Sequence, residues 1–296
     1  MAIRFINIPL NLGCNRLGVE QGGKYICDYG LKKIFTQHDI LGPVTIPCKS
    51  VTETRPSGDN DRMKNINNIL DYDTKLAEEV LYTLKGNNFP LVFGGDHSLT
   101  WGSLSGASKS FETDIGCIYL DAHGDFNSAE SSPSGNVHGM HMYYLMGYGE
   151  KQYVDFYNPG RKINPKNVYF LGTRSLDYGE QMLAEREKFN IFSTSTIHHI
   201  GVEKVFQQLA IAIAPLQHIH FSLDIDSIDP IFAPGTGVPE QNGLTVEEVE
   251  YLITKIFSTG KVVSMDIVEF NPLLDLSNRT LNVCNRLLKS IDKSLI

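Results

Sequence analysis

Three segments of the chain set acids and imidazoles at the ends of apolar runs. In the first, Ile115-Gly116-Cys117-Ile118-Tyr119-Leu120 leads into Asp121-Ala122-His123-Gly124-Asp125. Residues two apart share a face of an extended chain, so Asp121, His123 and Asp125 can point into one space. In the second, Phe221-Ser222-Leu223 leads into Asp224-Ile225-Asp226, which repeats the spacing, while Asp229 before Pro230 reads as a turn residue. In the third, Phe93 is followed by Gly94-Gly95-Asp96-His97-Ser98, where two glycines allow a sharp turn that brings His97 to the same crevice. Each segment also has a plainer reading: a solvated acidic loop, or a turn with a hydrogen-bonded histidine.

Taken together the segments are harder to explain that way. Two carboxylate pairs on buried strand ends would be costly without a neutralising cation. Asp121, Asp125, Asp224 and Asp226 carry −4, which balances two divalent ions at +4. Carboxylate and imidazole ligands without thiolate favour manganese, leave iron, cobalt and zinc as alternatives, and disfavour calcium. Six protein ligands for two ions require bridging carboxylates and leave room for a bridging water. Two ions roughly 3.5–4 Å apart generate hydroxide from such a water near neutral pH. The residues therefore describe a binuclear metallohydrolase without naming its substrate.

The elements that must position these groups are legible too. Apolar runs at 3–8, 91–93, 115–120, 168–171, 219–223 and 262–268 read as buried strands. Between them, Ile66, Ile69, Leu70, Leu76, Val80, Leu81 and Leu84 recur at helical spacing, with Gly86 as a stop. Thr245 and Glu248 form a capping box ahead of Val249, Leu252, Ile253 and Ile256, and a last helix runs from 279 to about 288. This rhythm predicts an α/β fold whose mostly parallel sheet is covered on both faces, in one domain over 1–296, with a surface loop at 50–60.

Composition narrows the class. The 296 residues carry 26 basic and 34 acidic side chains, a net charge of −8, with no basic run, which argues against nucleic acid as a partner. No stretch approaches the roughly 20 apolar residues that span a bilayer, so no membrane partner is expected. Residues 1–7 are too short and interrupted for a signal-peptide core. Cys14, Cys27, Cys48, Cys117 and Cys284 form an odd, scattered set without a Cys-x-x-Cys pair, which predicts reduced thiols and a cytoplasmic location.

The residues resemble the ureohydrolase family and, within it, the arginases. The likeness lies in Gly94-Gly95-Asp96-His97-Ser98, Asp121-Ala122-His123-Gly124-Asp125-Phe126-Asn127, Ser134-Gly135-Asn136-Val137-His138-Gly139-Met140 and Ser222-Leu223-Asp224-Ile225-Asp226. It continues in Leu171-Gly172-Thr173-Arg174 with Asp177 and Glu180, in Asp266-Ile267-Val268-Glu269-Phe270-Asn271-Pro272, and in Gly18-Val19-Glu20 near the start. The resemblance implies a three-layer α/β/α fold and two manganese ions. His97, Asp121, Asp125 and Asp224 would hold one ion. Asp121, His123, Asp224 and Asp226 would hold the other, with Asp121 and Asp224 bridging. It further implies attack of a metal-bridging hydroxide on the guanidinium carbon of L-arginine, giving L-ornithine and urea. Asp125 would pass a proton to the leaving amine, Glu269 would orient the guanidinium, and His138 would shuttle protons to solvent. Asn127, Ser134, Asn136 and Asp177, with Glu180 beside it, would recognise the α-amino and α-carboxylate groups. His141, His198, His199, His218 and His220 have no such support and read as surface or core histidines.

Asn127, the loop from 134 to 138 and Asp177 favour an arginase over an agmatinase or another guanidino- or formimino-hydrolase. A non-catalytic homologue would show a lost ligand, and all six ligand positions are filled. Two departures stand out. Val238-Pro239 and Asn242-Gly243 replace the family's usual threonine-proline and glycine pair, so Val238 removes a hydroxyl from the urea-forming end. Val246-Glu247-Glu248 lies where relatives carry an arginine for subunit pairing. A homo-trimer or homo-hexamer is still implied.

Overall fold

A computed structural model of the chain describes residues 1–49, 62–111 and 115–296; the loop expected at 50–60 lies outside them. Among the described residues eight strands form one sheet: β1 (Ile3–Ile8), β2 (Ile40–Thr45), β3 (Phe89–Gly94), β4 (Ile115–Leu120), β5 (Val168–Leu171), β6 (Asn190–Phe192), β7 (His218–Asp224) and β8 (Val262–Val268). Their order is β2-β1-β3-β8-β7-β4-β5-β6, and every pairing is parallel.

The strand sequences explain the layering. Alternate residues face opposite ways, so Phe5, Leu91, Phe93, Ile118, Leu120 and Phe221 enter a core on one face. Ile6, Ile8, Val92, Cys117, Tyr119 and Phe170 enter a core on the other. The helices Val202–Ala212, Val246–Phe257 and Arg279–Ser294 cover the first core. The helices Ile66–Lys85 and Thr100–Ser110 pack together over the second. The result is the three-layer α/β/α arrangement.

The helix boundaries follow the sequence with one difference. Thr245 and Glu248 make the expected reciprocal capping box. The helix Ile66–Lys85 ends at Gly86, yet Gly86 keeps φ −83, and Asn87 takes the left-handed turn at φ 53. The last helix runs on to Ser294. Among the described residues no helix is long and apolar enough to cross a membrane, and the five cysteines are free thiols.

Two strands have no counterpart among the sequence-derived runs. Both lie at the edges of the sheet. β2 is largely exposed and carries Pro43, which edge strands tolerate because they need not donate to a second neighbour. β6 has three half-buried residues. Neither is buried on both faces, so neither reads as a continuous apolar run.

Candidate active site

Parallel alignment sends the carboxyl ends of all eight strands to one rim, and neighbouring strands β3, β8, β7, β4 and β5 deliver the chemistry. β3 leads through Gly94-Gly95 to His97, β8 leads to Glu269, β7 ends at Asp224, β4 leads to Asp121, and β5 leads to Arg174 and Asp177. Gly95 has to be glycine: a Cβ there would sit 1.6 Å from the Leu10 carbonyl oxygen.

All six predicted ligands converge. His97 Nδ1 lies 2.9 Å from Asp121 Oδ2, 3.0 Å from Asp224 Oδ2 and 3.2 Å from Asp125 Oδ2. His123 Nδ1 lies 3.1 Å from Asp226 Oδ2 and 3.3 Å from Asp121 Oδ1. His97, Asp121 and Asp224 can each aim a donor atom within 4.8 Å of one another, and so can Asp121, His123 and Asp226. Asp121 belongs to both groups, whereas Asp224, the other expected bridge, joins only the first. Asp125 falls in a third group with His97 and His141. Asp121 is fully buried, its Oδ2 set against His97 Nδ1, which Asp125 and Asp224 also face. Hard oxygen and imidazole donors with such a surplus of carboxylate fit divalent cations.

The other nitrogen of His97 is held. Its Nε2 meets Ser222 Oγ at 2.8 Å, which fixes the ring with Nδ1 toward the carboxylates. Burial opposes charge on both imidazoles, but Asp121, Asp125 and Asp224 outweigh it at His97, and Asp226 and Asp121 outweigh it at His123, so both pKa values rise. Burial and mutual repulsion push the acids up in turn. Asp224 rises well above the carboxylate range, and Asp226 is pushed up to about 6. Burial also raises Asp121, but its bonds to His123 and His97 reverse the shift and hold it well below.

A cleft of about 620 Å³ opens over this floor. His123, Asp125, Asp224 and Asp226 line its base, with Asn127, Ser134, His138, Asp177, Glu180 and Glu269 around them. Glu269 is 3% exposed; its Oε1 accepts from the His97 N–H at 3.0 Å and lies 3.1 Å from His138 Nδ1. Burial lowers the His138 pKa, but Glu269 more than compensates and the group is pushed up to about 9. Asp125 and Glu269 both adopt left-handed backbone, at φ 57 and φ 63, a conformation that is costly for a glutamate and clusters at functional sites.

The rim residues differ in how free they are. Asn127 Nδ2 donates to Asp177 Oδ2 at 2.8 Å, which ties two expected recognition groups together. Both oxygens of Glu180 are engaged, accepting from the N–H groups of Phe126 and Asp177, so Glu180 anchors its neighbours while burial pushes its pKa up to about 8. Asn136 faces an adjoining cavity, where its Oδ1 accepts from Lys64 Nζ at 3.2 Å. Val238 lines both cavities, and so do His138 and Glu269.

Several residues at the site carried no sequence assignment. Tyr119 and Ser222 sit under the acid–imidazole cluster. Their signal was positional, since each lies two residues before one of its acids, Asp121 or Asp224, on the same strand face. His141 is a fully buried histidine that contacts Tyr119. Arg174 bonds the carbonyls of Gly172, Asp226, Ser227, Glu240 and Gln241, binding the ends of β5 and β7 to the loop after Val238. In that loop Asn242 takes φ 60, which asparagine tolerates where glycine is usual. Glu247, in the stretch where the family resemblance puts an arginine for subunit pairing, meets Arg286 of its own chain at 3.0 Å.

Comparison with known proteins identifies the family. The sequence profile described as "Arginase family" matches residues 1–292. The arginase of Bacillus subtilis (strain 168) is 34% identical over 298 residues, covering 98% of this chain and 97% of that protein. The native Bacillus caldovelox arginase structure superimposes with a TM-score of 0.92 at 33% identity, covering 98% of both chains. Entamoeba histolytica arginase, solved in complex with L-ornithine, gives 0.89 at 28% identity, again covering 98% of both. The chain belongs to the arginase family.

Proposed function

We propose that residues 1–296 form one catalytic domain that converts L-arginine and water to L-ornithine and urea with two manganese ions. The observation that carries the metal reading is Asp121, shared between two carboxylate–imidazole groups at the floor of the cleft. Arginine as substrate rests on likeness to the arginases of Bacillus subtilis and Bacillus caldovelox. His97, Asp121, Asp125 and Asp224 would hold one ion, and Asp121, His123, Asp224 and Asp226 the other. When bound, the ions supply hydroxide from water near neutral pH.

The remaining chemistry belongs to the chain's own side chains. Glu269, buried at the cleft wall, offers a carboxylate to the planar guanidinium. His138, 3.1 Å from Glu269 and with its pKa pushed up to about 9, shuttles protons between the site and solvent. Asp125 passes a proton to the leaving amine. Asn127, Ser134 and Asp177 take the α-amino and α-carboxylate groups. Glu180 acts through Asp177, and Asn136 acts from the adjoining cavity. A cytoplasmic homo-trimer or homo-hexamer working in arginine metabolism, with the chemistry of the urea cycle, completes the reading.

The test is urea release from L-arginine beside agmatine, guanidinobutyrate and formiminoglutamate, before and after chelation and manganese readdition. Arginine should be preferred, and activity should vanish and return with the metal. Faster turnover of agmatine would replace this reading with an agmatinase. A metal-replete protein inert on all four would make it a binding homologue.

A further inference from the structure

Asp121 sits at the end of β4, but Asp125 lies five residues beyond that strand end, on left-handed backbone that the strand does not dictate. What aims its carboxylate comes from below. Tyr119, fully buried on β4, donates its hydroxyl to Asp125 Oδ2 at 2.6 Å. The same hydroxyl lies 3.1 Å from His141 Nε2 and 3.1 Å from His97 Nδ1. Its ring stacks on His97, centroids 4.8 Å apart and planes 5° from parallel, so the hydroxyl has little freedom to swing. His141 is fully buried as well, and its Nδ1 meets the His138 carbonyl at 2.8 Å. The Met142 N–H bonds the Asp125 carbonyl at 3.0 Å. A continuous chain of contacts therefore runs from the loop bearing His138, through His141 and Tyr119, to the carboxylate of Asp125.

We propose that Tyr119 is a positioning residue for Asp125: its hydroxyl binds one carboxylate oxygen and orients the group toward the cleft, while the stack on His97 holds the ring and His141 packs behind the hydroxyl. The proposal rests on the reading of Asp125 as a metal ligand. Removing the hydroxyl leaves the ring, and with it the stack on His97, in place. The carboxylate loses its partner and the pocket keeps its shape.

The experiment compares the full chain with Tyr119→Phe, His141→Phe and the double variant. Isothermal titration with manganese alone gives affinity and stoichiometry, steady-state kinetics on L-arginine give kcat and KM, and thermal melts report folding. Tyr119→Phe should melt near the parent and bind manganese about 10–100-fold more weakly. Its kcat should fall while KM for arginine stays within about twofold, because no substrate-binding group is touched. His141→Phe should show a smaller loss of the same kind, and the double variant should add little to Tyr119→Phe. Parent-like affinity and kcat in Tyr119→Phe overturns the proposal. So does loss of manganese binding in His141→Phe alone, which would make His141 a ligand. A parent protein that neither binds manganese nor hydrolyses arginine fails at the earlier step, and that result is told apart before any variant is made.

Discussion

The sheet buries two clusters made from the same residue types, and they behave in opposite ways. Between β7 and β8, His220 Nε2 meets Asp266 Oδ2 at 3.0 Å, and His220 Nδ1 meets Ser264 Oγ at 2.8 Å. Thr100 and Ser103 also donate to Asp266 Oδ2. One acid faces one base. Burial raises the Asp266 pKa, but His220 reverses this and holds the carboxyl below its ordinary range. At the strand ends, four acids face two imidazoles, and Asp125, Asp224 and Asp226 are driven upward. Burial is the same in both places; charge balance differs. A matched pair balances its own charge and serves the fold, whereas a surplus of acid can be stable only by taking up cations, as protons or as metal.

Substitution should separate the two most sharply. Asp121→Ala or Asp224→Ala removes a proposed shared ligand and should abolish urea release from arginine, measured with saturating manganese. Chelated Asp224→Ala should melt no lower than the parent, because a repelled carboxylate has gone, whereas chelated Asp121→Ala should melt lower, because His97 and His123 lose their shared partner. Near-normal turnover in either would break the two-ion assignment. Asp266→Ala should do the reverse. It strands a buried His220, and breaking such a pair costs about 3–5 kcal/mol, read by denaturant titration. The manganese stoichiometry of the folded fraction should be unchanged. Equal stability in Asp266→Ala would erase the distinction.

The next effect in size comes from pH. Asp266 has a depressed folded pKa, so its contribution is present above the unfolded value of 3.8 and is lost as pH falls below it. Asp226 is raised from 3.8 to about 6, so its contribution is present below 3.8 and is lost as pH rises toward and past 6. His97 and His123 are raised too, and they lose stability in the same direction at higher pH. Chelated protein should therefore lose melting temperature between about pH 4 and 7. Manganese at 100 times its dissociation constant should restore about 2.7 kcal/mol near neutrality and little at acid pH, where protons occupy the ligands. Parallel curves with and without manganese would remove the metal from the account.

The same contrast explains what could be read from the sequence. Strands buried on both faces, such as 115–120 and 262–268, announce themselves as apolar runs, and the acids that interrupt them stand out for that reason. The six convergent acids and imidazoles were legible because their spacing is local. β2 and β6 were not, since a half-exposed edge has no periodic apolar signal. Long-range partners left no local mark either. His220 and Asp266 are 46 residues apart, and Tyr119 meets His141 across 22. Nothing in either neighbourhood tells a balanced buried histidine from a ligand. His141 and His220 looked alike in sequence, and only packing gave one a place beside the cleft and the other a place within the sheet. Glu180 shows the converse. Its spacing after Asp177 marks a capping box as readily as a recognition residue, and both its oxygens are taken by backbone.

The smallest expected effect uses charge without burial. Arg286 reaches Glu250 at 2.6 Å and Glu247 at 3.0 Å, on the neighbouring helices Arg279–Ser294 and Val246–Phe257, with about half of the arginine side chain exposed. Water screens these ions and the long side chains lose freedom in pairing, so exposed bridges contribute about 0–1 kcal/mol. Arg286→Ala should therefore shift the denaturation midpoint slightly, less still in high salt, and leave kcat unchanged. A loss comparable to that of Asp266→Ala would mean that these acids are far less solvated than the isolated chain has them. Subunit contact over this face is the arrangement that would do so, and sedimentation of the parent and Arg286→Ala would then differ in mass. An unchanged mass with a small stability loss instead leaves burial, rather than the number of charges, as what separates the structural pair, the ligand cluster and the surface bridge.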